Sequence, residues 1–274
     1  MNRGLRSRLQ EDNLARLVRN DAFQFTDTFV PYASKEIGPY YVQSAAVKRD
    51  GRDYHAAVTD TLSFLRNSLD GRMPDVISGG ESRDWIFSLP VASRIPCAHV
   101  MIYKDGRVVG ALKEDMKGKN VVHIADLNNE GSSPRDMWVP VIRGAGGQIE
   151  DIFFYVDRME RGVQVIEDTL GLRRHAVVEL DGNAWQYLLD QGVLTRRTYQ
   201  HLNERMEDQD AWAMGMLRSP EGLETLAELF RNRKTVEKAR GILDEGYPVL
   251  RKELIEKLTR EKKIPMLDII GECA

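Results

Sequence analysis

Val121-Val122-His123-Ile124-Ala125-Asp126-Leu127-Asn128-Asn129-Glu130-Gly131-Ser132-Ser133 runs from a nearly unbroken apolar segment, through an acid, into a polar loop with one glycine. An apolar run without alternation is what a strand needs when both faces of its sheet are covered. The next segment carries helix-start signals: Ser133 as N-cap, Pro134 at the first helical position, and Asp136 where a capping box places its acid. A helix is therefore expected over 133–143, ended by Gly144, Gly146 and Gly147.

The same rhythm extends on either side. Upstream, 53–69 has apolar residues at helical intervals, 75–78 is a short strand closing on Gly79-Gly80, and 82–93 reads as a helix. His99–Tyr103 reads as a strand, and Asp105-Gly106 between apolar runs predicts a hairpin. Downstream, 152–156 and 176–180 are two more strands. Strand and helix in alternation predict an α/β fold with right-handed crossovers and a mainly parallel, twisted sheet. Leu5, Leu9, Leu14, Leu17 and Val18 predict an N-terminal amphipathic helix over 1–20, with Glu11 and Asp12 interrupting any transit-peptide pattern. From Asn183 onward only helices are expected, so the division is an α/β domain over 1–185 and a helical C-terminal region over 186–274.

Composition narrows the classes. The chain has 274 residues and a formal charge of -3, which argues against a nucleic-acid partner. It has no apolar run of about 20 residues, so no membrane partner is expected. Its two cysteines, Cys97 and Cys273, lack metal-ligand or CxxC spacing and read as free thiols in a reducing, cytoplasmic compartment.

In a doubly wound sheet, ligands bind beyond the carboxyl ends of the strands. Three segments fall there: 79–84, 126–133 and 157–162. Backbone N–H groups of the middle loop, with the helix start behind them, suit an anion such as phosphate, and Ser132 and Ser133 add hydroxyl donors. Asp126 is placed to hold ribose hydroxyls, or a Mg²⁺ through water. The alternative is a plain strand-to-helix turn capped by Ser133, with Asp126 solvated.

The segment 121–133 lies without a gap on a pattern of four apolar residues, two acids, two apolar residues, then Thr-Thr-Gly-x-Ser. One strand later Asp157-Arg158-Met159-Glu160-Arg161-Gly162 is similar to Asp-Arg-Gln-Glu-x-Gly, and upstream Gly38-Pro39-Tyr40-Tyr41-Val42 is similar to Ser-Pro-Tyr-Phe-Phe. Ile77-Ser78-Gly79-Gly80-Glu81 and Tyr103-Lys104 stand where a pyrophosphate loop and an Arg-Lys pair are expected. In this order, over roughly residues 22–181, these segments resemble the orotate phosphoribosyltransferases of the type I phosphoribosyltransferase family. The resemblance implies that Asn128, Asn129, Glu130, Gly131, Ser132 and Ser133 form the phosphate loop, and Gly79, Gly80 and Glu81 the pyrophosphate loop. It implies Arg158 as a base-carboxylate contact, Lys104 as a pyrophosphate contact and Asp126 as the acid steering ribose and Mg²⁺. Tyr41 falls in the hood, and a homodimer is implied by analogy.

Four departures accompany it. Ala125 replaces the first of the paired acids, and Glu130 stands at a threonine position of the phosphate loop. A carboxylate about 4 Å from a phosphate charge would cost about 4 kcal/mol at an effective dielectric near 20. Lys104 leads straight to a hairpin, with no Lys-x-His-Gly lid sequence. The base-gripping lysine falls on Ala33, with Lys35 two residues away as its substitute. The expectation is a protein that binds a phosphorylated ribose, nucleotide or base with transfer weak or lost. The alternative is an active Mg²⁺-dependent enzyme using phosphoribosyl pyrophosphate and a base other than orotate. Elsewhere, His123 reads as a core histidine, His55 and His201 as surface residues, and Glu81, Arg83 and Asp84 as a charged loop cluster, either a local ion-pair network or a binding element. Trp212, Met214 and Met216 read as a packing surface.

Overall fold

The computed structural model describes residues 3–110 and 116–271. Cys273 lies outside the described residues, and Cys97 is a free, half-buried thiol. In chain order the elements begin α1 (Arg3–Arg19), β1 (Phe23–Pro31), β2 (Ile37–Val42), α2 (Gly51–Ser68), β3 (Val76–Gly80), α3 (Trp85–Ala92), β4 (Ala98–Ile102), β5 (Val108–Val109) and β6 (Asn120–Asn128). They continue with α4 (Val139–Gly144), β7 (Gln148–Asp157), α5 (Gly162–Gln164), β8 (Arg173–Glu179) and α6 (Gly182–Asp190). The last are α7 (Arg196–Glu207), α8 (Gln209–Arg218), α9 (Pro220–Arg231), α10 (Val236–Gly241), α11 (Arg251–Arg260) and α12 (Met266–Ile270). Two compact units result: Met1–Ala22 with Gln43–Leu188, and Phe23–Val42 with Leu189–Ala274.

The first unit is an α/β sandwich on a six-stranded sheet of order β5-β4-β3-β6-β7-β8. It is parallel throughout except for the β4–β5 hairpin, in which Met101 faces Val109 across the Asp105-Gly106 turn. Alternation along β7 sends Phe153 and Tyr155 to one face and Ile152 and Phe154 to the other, and all four are fully buried. On the first face Phe87 of α3 stacks on Tyr155 at 4.3 Å and Phe64 of α2 meets Phe153 edge-on. Helix α1 lies there too: Arg6 donates to the Ala176 and Val177 carbonyls of β8, and Tyr155 donates to Asn13. On the second face Ile152 and Phe154 join Trp138, Val139, Ile142 and Ile166 in one cluster.

This arrangement reverses the winding. The β3-α3-β4 connection covers the first face and moves toward β5; β6-α4-β7 covers the second and moves toward β8. Between β3 and β6 the strand order switches direction, which opens a crevice at their carboxyl ends.

Ser133 is not the N-cap expected for the helix after β6. Its backbone is already helical and its side chain makes no capping bond. Gly131, at φ +69, makes the turn instead, and its carbonyl accepts the first helical N–H, from Arg135. A wide π turn over Pro134–Trp138 then leads into α4.

The second unit pairs a hairpin with the C-terminal helices. Strands β1 and β2 are antiparallel with a shift in register between Phe25 and Val30. Neither strand was expected from local pattern. Phe29 and Ile37 share a core with Leu223, Leu226, Phe230, Leu243 and Leu254. The helices start on side-chain caps, Thr195 for α7, Asp208 for α8 and Ser219, ahead of Pro220, for α9. Arg205 of α7 ties the hairpin down through the Ile37 carbonyl at 2.8 Å.

Because Phe154 fills the second face with no solvent access, Phe154→Ala is expected to lower the unfolding free energy by about 3–5 kcal/mol. Urea denaturation followed by far-UV circular dichroism measures it.

Candidate functional site

At the switch point, β3 ends in Gly79-Gly80 and passes through a cis Glu81–Ser82 peptide to Asp84. The Asp84 carboxylate turns back: Oδ2 accepts from Gly80 N and Oδ1 from Asp126 N, both at 2.9 Å. Asp126 Oδ2 accepts from the Ser44 hydroxyl at 2.6 Å. Asp84 and Asp126 are 4% and 7% exposed, so the alternative of a solvated Asp126 does not hold. Glycine at 80 is a steric requirement, since a Cβ there would lie 2.3 Å from Trp138 Nε1 and 2.6 Å from Asp84 Oδ2.

Burial shapes the charge of this pair. Removal from water, then the neighbouring Asp84 carboxyl, pushes Asp126 up to about 7; burial raises Asp84 to about 6. Near neutrality the two hold a proton between them. His123 continues the chain of contacts, with Nδ1 2.9 Å from Ser78 Oγ and Nε2 3.7 Å from Asp84 Oδ2. Its ring stacks on Trp138 at 4.2 Å, and complete burial lowers it to about 3, so it is a neutral core histidine and not an ion-pair partner.

The loop after β6 is packed from the other side by residues 158–165. Asn128 is buried, and its Nδ2 donates to Asp157 Oδ2 at 3.0 Å. Gly162 N donates to the Asn129 carbonyl at 3.0 Å, and Gly131 packs on Val165. Glu130 is half-buried with Oε1 enclosed, whereas Ser132 and Ser133 are exposed. Arg158 is 5% exposed and pairs with Glu160 at 2.9 Å. Asp157 is bridged by Arg174 at 3.0 Å, while burial still raises its carboxyl.

Glu81 and Lys104 meet at the ends of β3 and β4, Glu81 Oε2 accepting from Lys104 N at 3.0 Å, with the Lys104 side chain exposed. Thus the first unit brings 79–81, Lys104, Asp126–Ser133 and Arg158 to the carboxyl ends of four adjacent strands. Lys35 and Tyr41 belong to the second unit. There Lys35, at φ +70, lies 4.0 Å from Glu245, and Tyr41 is exposed on β2.

Among the described residues no cluster of three or more His, Cys, Asp or Glu side chains is placed to hold a metal ion. Asp126, enclosed by Ser44 and Asp84 and inclined to keep its proton, does not fit a Mg²⁺ ligand in this arrangement. Sequence reasoning missed Ser44; it placed Ser78 and Asp84 in the segments at this edge but not their contacts with His123 and Asp126. For Asp84 the available signal was its place four residues after Gly80 in a charged loop, but nothing local shows that it turns inward.

No protein-family model matches the sequence, and no curated protein matches it. Among solved structures, the Leishmania donovani UMP synthase superposes with a TM-score of 0.62 at 18% identity, over 72% of this chain and 42% of that one. Orotate phosphoribosyltransferase from Francisella tularensis gives 0.56 at 17% identity, over 70% and 96% of the two chains. The Aeropyrum pernix orotate phosphoribosyltransferase gives 0.54 at 17%, over 66% and 99%. The fold is the one seen in these orotate phosphoribosyltransferase structures.

The carboxyl pair makes a pH prediction. Both groups titrate above their ordinary value of 3.8, so the folded chain holds more protons than the unfolded one. Their contribution is full below about pH 4 and is lost as pH rises through about 7. Asp126→Asn is expected to gain on the wild type by on the order of 1–3 kcal/mol between about pH 5 and pH 8, read from urea midpoints at the two pH values.

Proposed function

We propose that this chain is a phosphoribosyltransferase-fold protein that binds a phosphorylated ribose, a nucleotide or a base at the loop after β6, with transferase activity weak or absent. One observation carries the reading. Asp126, the one acid remaining at the end of β6, is 7% exposed, bonded to Ser44 and inclined to keep its proton. A carboxyl so engaged is poorly placed to steer a ribose or to share a cation with a diphosphate. Glu130 adds negative charge to the loop that would receive a 5′-phosphate. The loop nevertheless keeps what an anion needs: exposed Ser132 and Ser133 hydroxyls at the start of a helix. Pairing as a homodimer and residence in the cytoplasm belong to the same reading. No described helix is long and apolar enough to cross a membrane.

A second reading is an active Mg²⁺-dependent phosphoribosyltransferase acting on phosphoribosyl pyrophosphate and a base other than orotate. Asp84 bears on it by setting a second carboxyl beside Asp126 where the strand itself keeps one, and the reading requires both to ionise and release their present partners when the cation binds.

The test is calorimetric titration of ribose 5-phosphate, and of phosphoribosyl pyrophosphate with Mg²⁺, into wild type and Glu130→Thr, alongside an assay of pyrophosphate release with orotate and other bases. Binding of ribose 5-phosphate without pyrophosphate release is expected. Glu130→Thr is expected to tighten that binding, by up to about three decades if the carboxylate faces the phosphate. Pyrophosphate release by the wild type would install the second reading, and silence of both proteins toward both ligands would remove the loop as a ligand site.

A further inference from the structure

Basic charge is concentrated in one stretch of the second unit. Residues 231–263 hold eleven lysines and arginines against six aspartates and glutamates, in a chain whose formal charge is -3. Six of the eleven pair with nearby carboxylates. The other five, Arg233, Lys234, Lys238, Lys252 and Lys263, are exposed and make no ion pair among the described residues.

Four of these five stand beside α12. Arg231 donates to the Lys262 carbonyl at 3.2 Å, which brings the turn holding Arg233 and Lys234 against the segment that leads into α12. Arg240 donates to the Asp268 carbonyl at 2.9 Å, which ties α10, and Lys238 with it, to α12. Lys263 stands three residues before Met266. Helix α12 turns Ile269 into the core of the unit and leaves Met266, Leu267 and Ile270 roughly half exposed. At about 100° per residue these three share one outward stripe, and Asp268 falls on the opposite side. An apolar patch that is contiguous and rimmed by polar groups marks an interaction surface, as single exposed side chains do not. The carboxylates on the flanking segments, Glu237 and Glu261, are paired with Arg240 and Arg260, so the charge left over at the rim is positive.

We propose that α12 and the cations beside it dock on the surface of a bilayer that carries anionic phospholipid. Met266, Leu267 and Ile270 enter the boundary between headgroups and acyl chains, and Arg233, Lys234, Lys238 and Lys263 lie against the phosphates. Long unpaired cations around a protruding apolar stripe suit a fluid surface, which moulds to them. A protein partner would have to supply a groove for the stripe and acids at fixed distances from it. The stripe lies in the plane of the interface, so the lack of a described helix able to cross a membrane does not bear on it. This face belongs to the second unit alone and is independent of the loop after β6.

The full chain is mixed with sucrose-loaded phosphatidylcholine vesicles, with or without about one-third phosphatidylserine, and the bound fraction is read after sedimentation. Saturable binding to the anionic vesicles is expected, about tenfold or more weaker on phosphatidylcholine alone and reversed as sodium chloride is raised. Lys234→Gln/Lys238→Gln is expected to weaken it about fivefold for each charge removed. Leu267→Ser/Ile270→Ser, which leaves every charge in place, is expected to weaken it about tenfold. Both double variants keep the wild-type urea midpoint, because the four side chains are exposed. Equal binding to the two vesicle types, no binding at low salt, or wild-type binding by either variant would each overturn the proposal. So would self-association without lipid that Leu267→Ser/Ile270→Ser abolishes, which would make the face a contact between copies of the chain.

Discussion

Burial of β6 and β7 on both faces is the constraint from which the first unit follows. Val121, Val122, Ile124 and Ala125 have no solvent access, and neither do Ile152, Phe154, Tyr155 and Val156. Strands this apolar must carry helices on both sides of their sheet. A chain winding its crossovers in one hand covers both faces only by changing the direction in which it adds strands. That change falls between β3 and β6, and the crevice it leaves is where the loops with polar and charged residues collect.

What fills the crevice is unusual for a place where charge would be used. Asp84 spans it, capping the backbone of β3 through Gly80 and of β6 through Asp126. Ser44 closes on Asp126 from the polypeptide just before α2. Two carboxyls in so dry a place are tolerable only if they keep a proton, and the neutral, stacked His123 behind them offers no counter-charge. The network therefore stabilises loop geometry at the expense of the ionised acid that the resemblance assigns to this position. Fold and chemistry separate here: the loops reach the carboxyl edge of the sheet, while Asp84, Asp126 and Arg158 are buried and paired and Lys104, Ser132 and Ser133 stay exposed.

The second unit shows how little of a helical region's packing local sequence reveals. Its caps, Thr195, Asp208 and Ser219 with Pro220, are legible as sequence, and so is the apolar face that packs Trp212 and Met216. That residues 23–42 join this core is not legible, because β1 alternates weakly and its partners lie far along the chain. Nor is the place of His201, expected on the surface and half-buried with Nδ1 accepting from Trp212 Nε1.

The sequence by itself determined the strand–helix alternation, the mainly parallel sheet, the loop positions that reach the carboxyl edge and the likeness to the orotate phosphoribosyltransferases. These follow from periodicity, apolar runs and short motifs, which act over a few residues and leave a local trace. Tertiary structure alone decided which side chains meet: that Asp84 turns in to Asp126, that Ser44 covers it, that Gly131 and not Ser133 starts the helix, and that Arg158 is held by Glu160. The physical reason is that burial and its electrostatic consequences belong to a place in the fold. The same aspartate is a solvated anion in an open loop and a buried crossbeam with a raised pKa between β3 and β6, and only the packing of distant segments chooses between them.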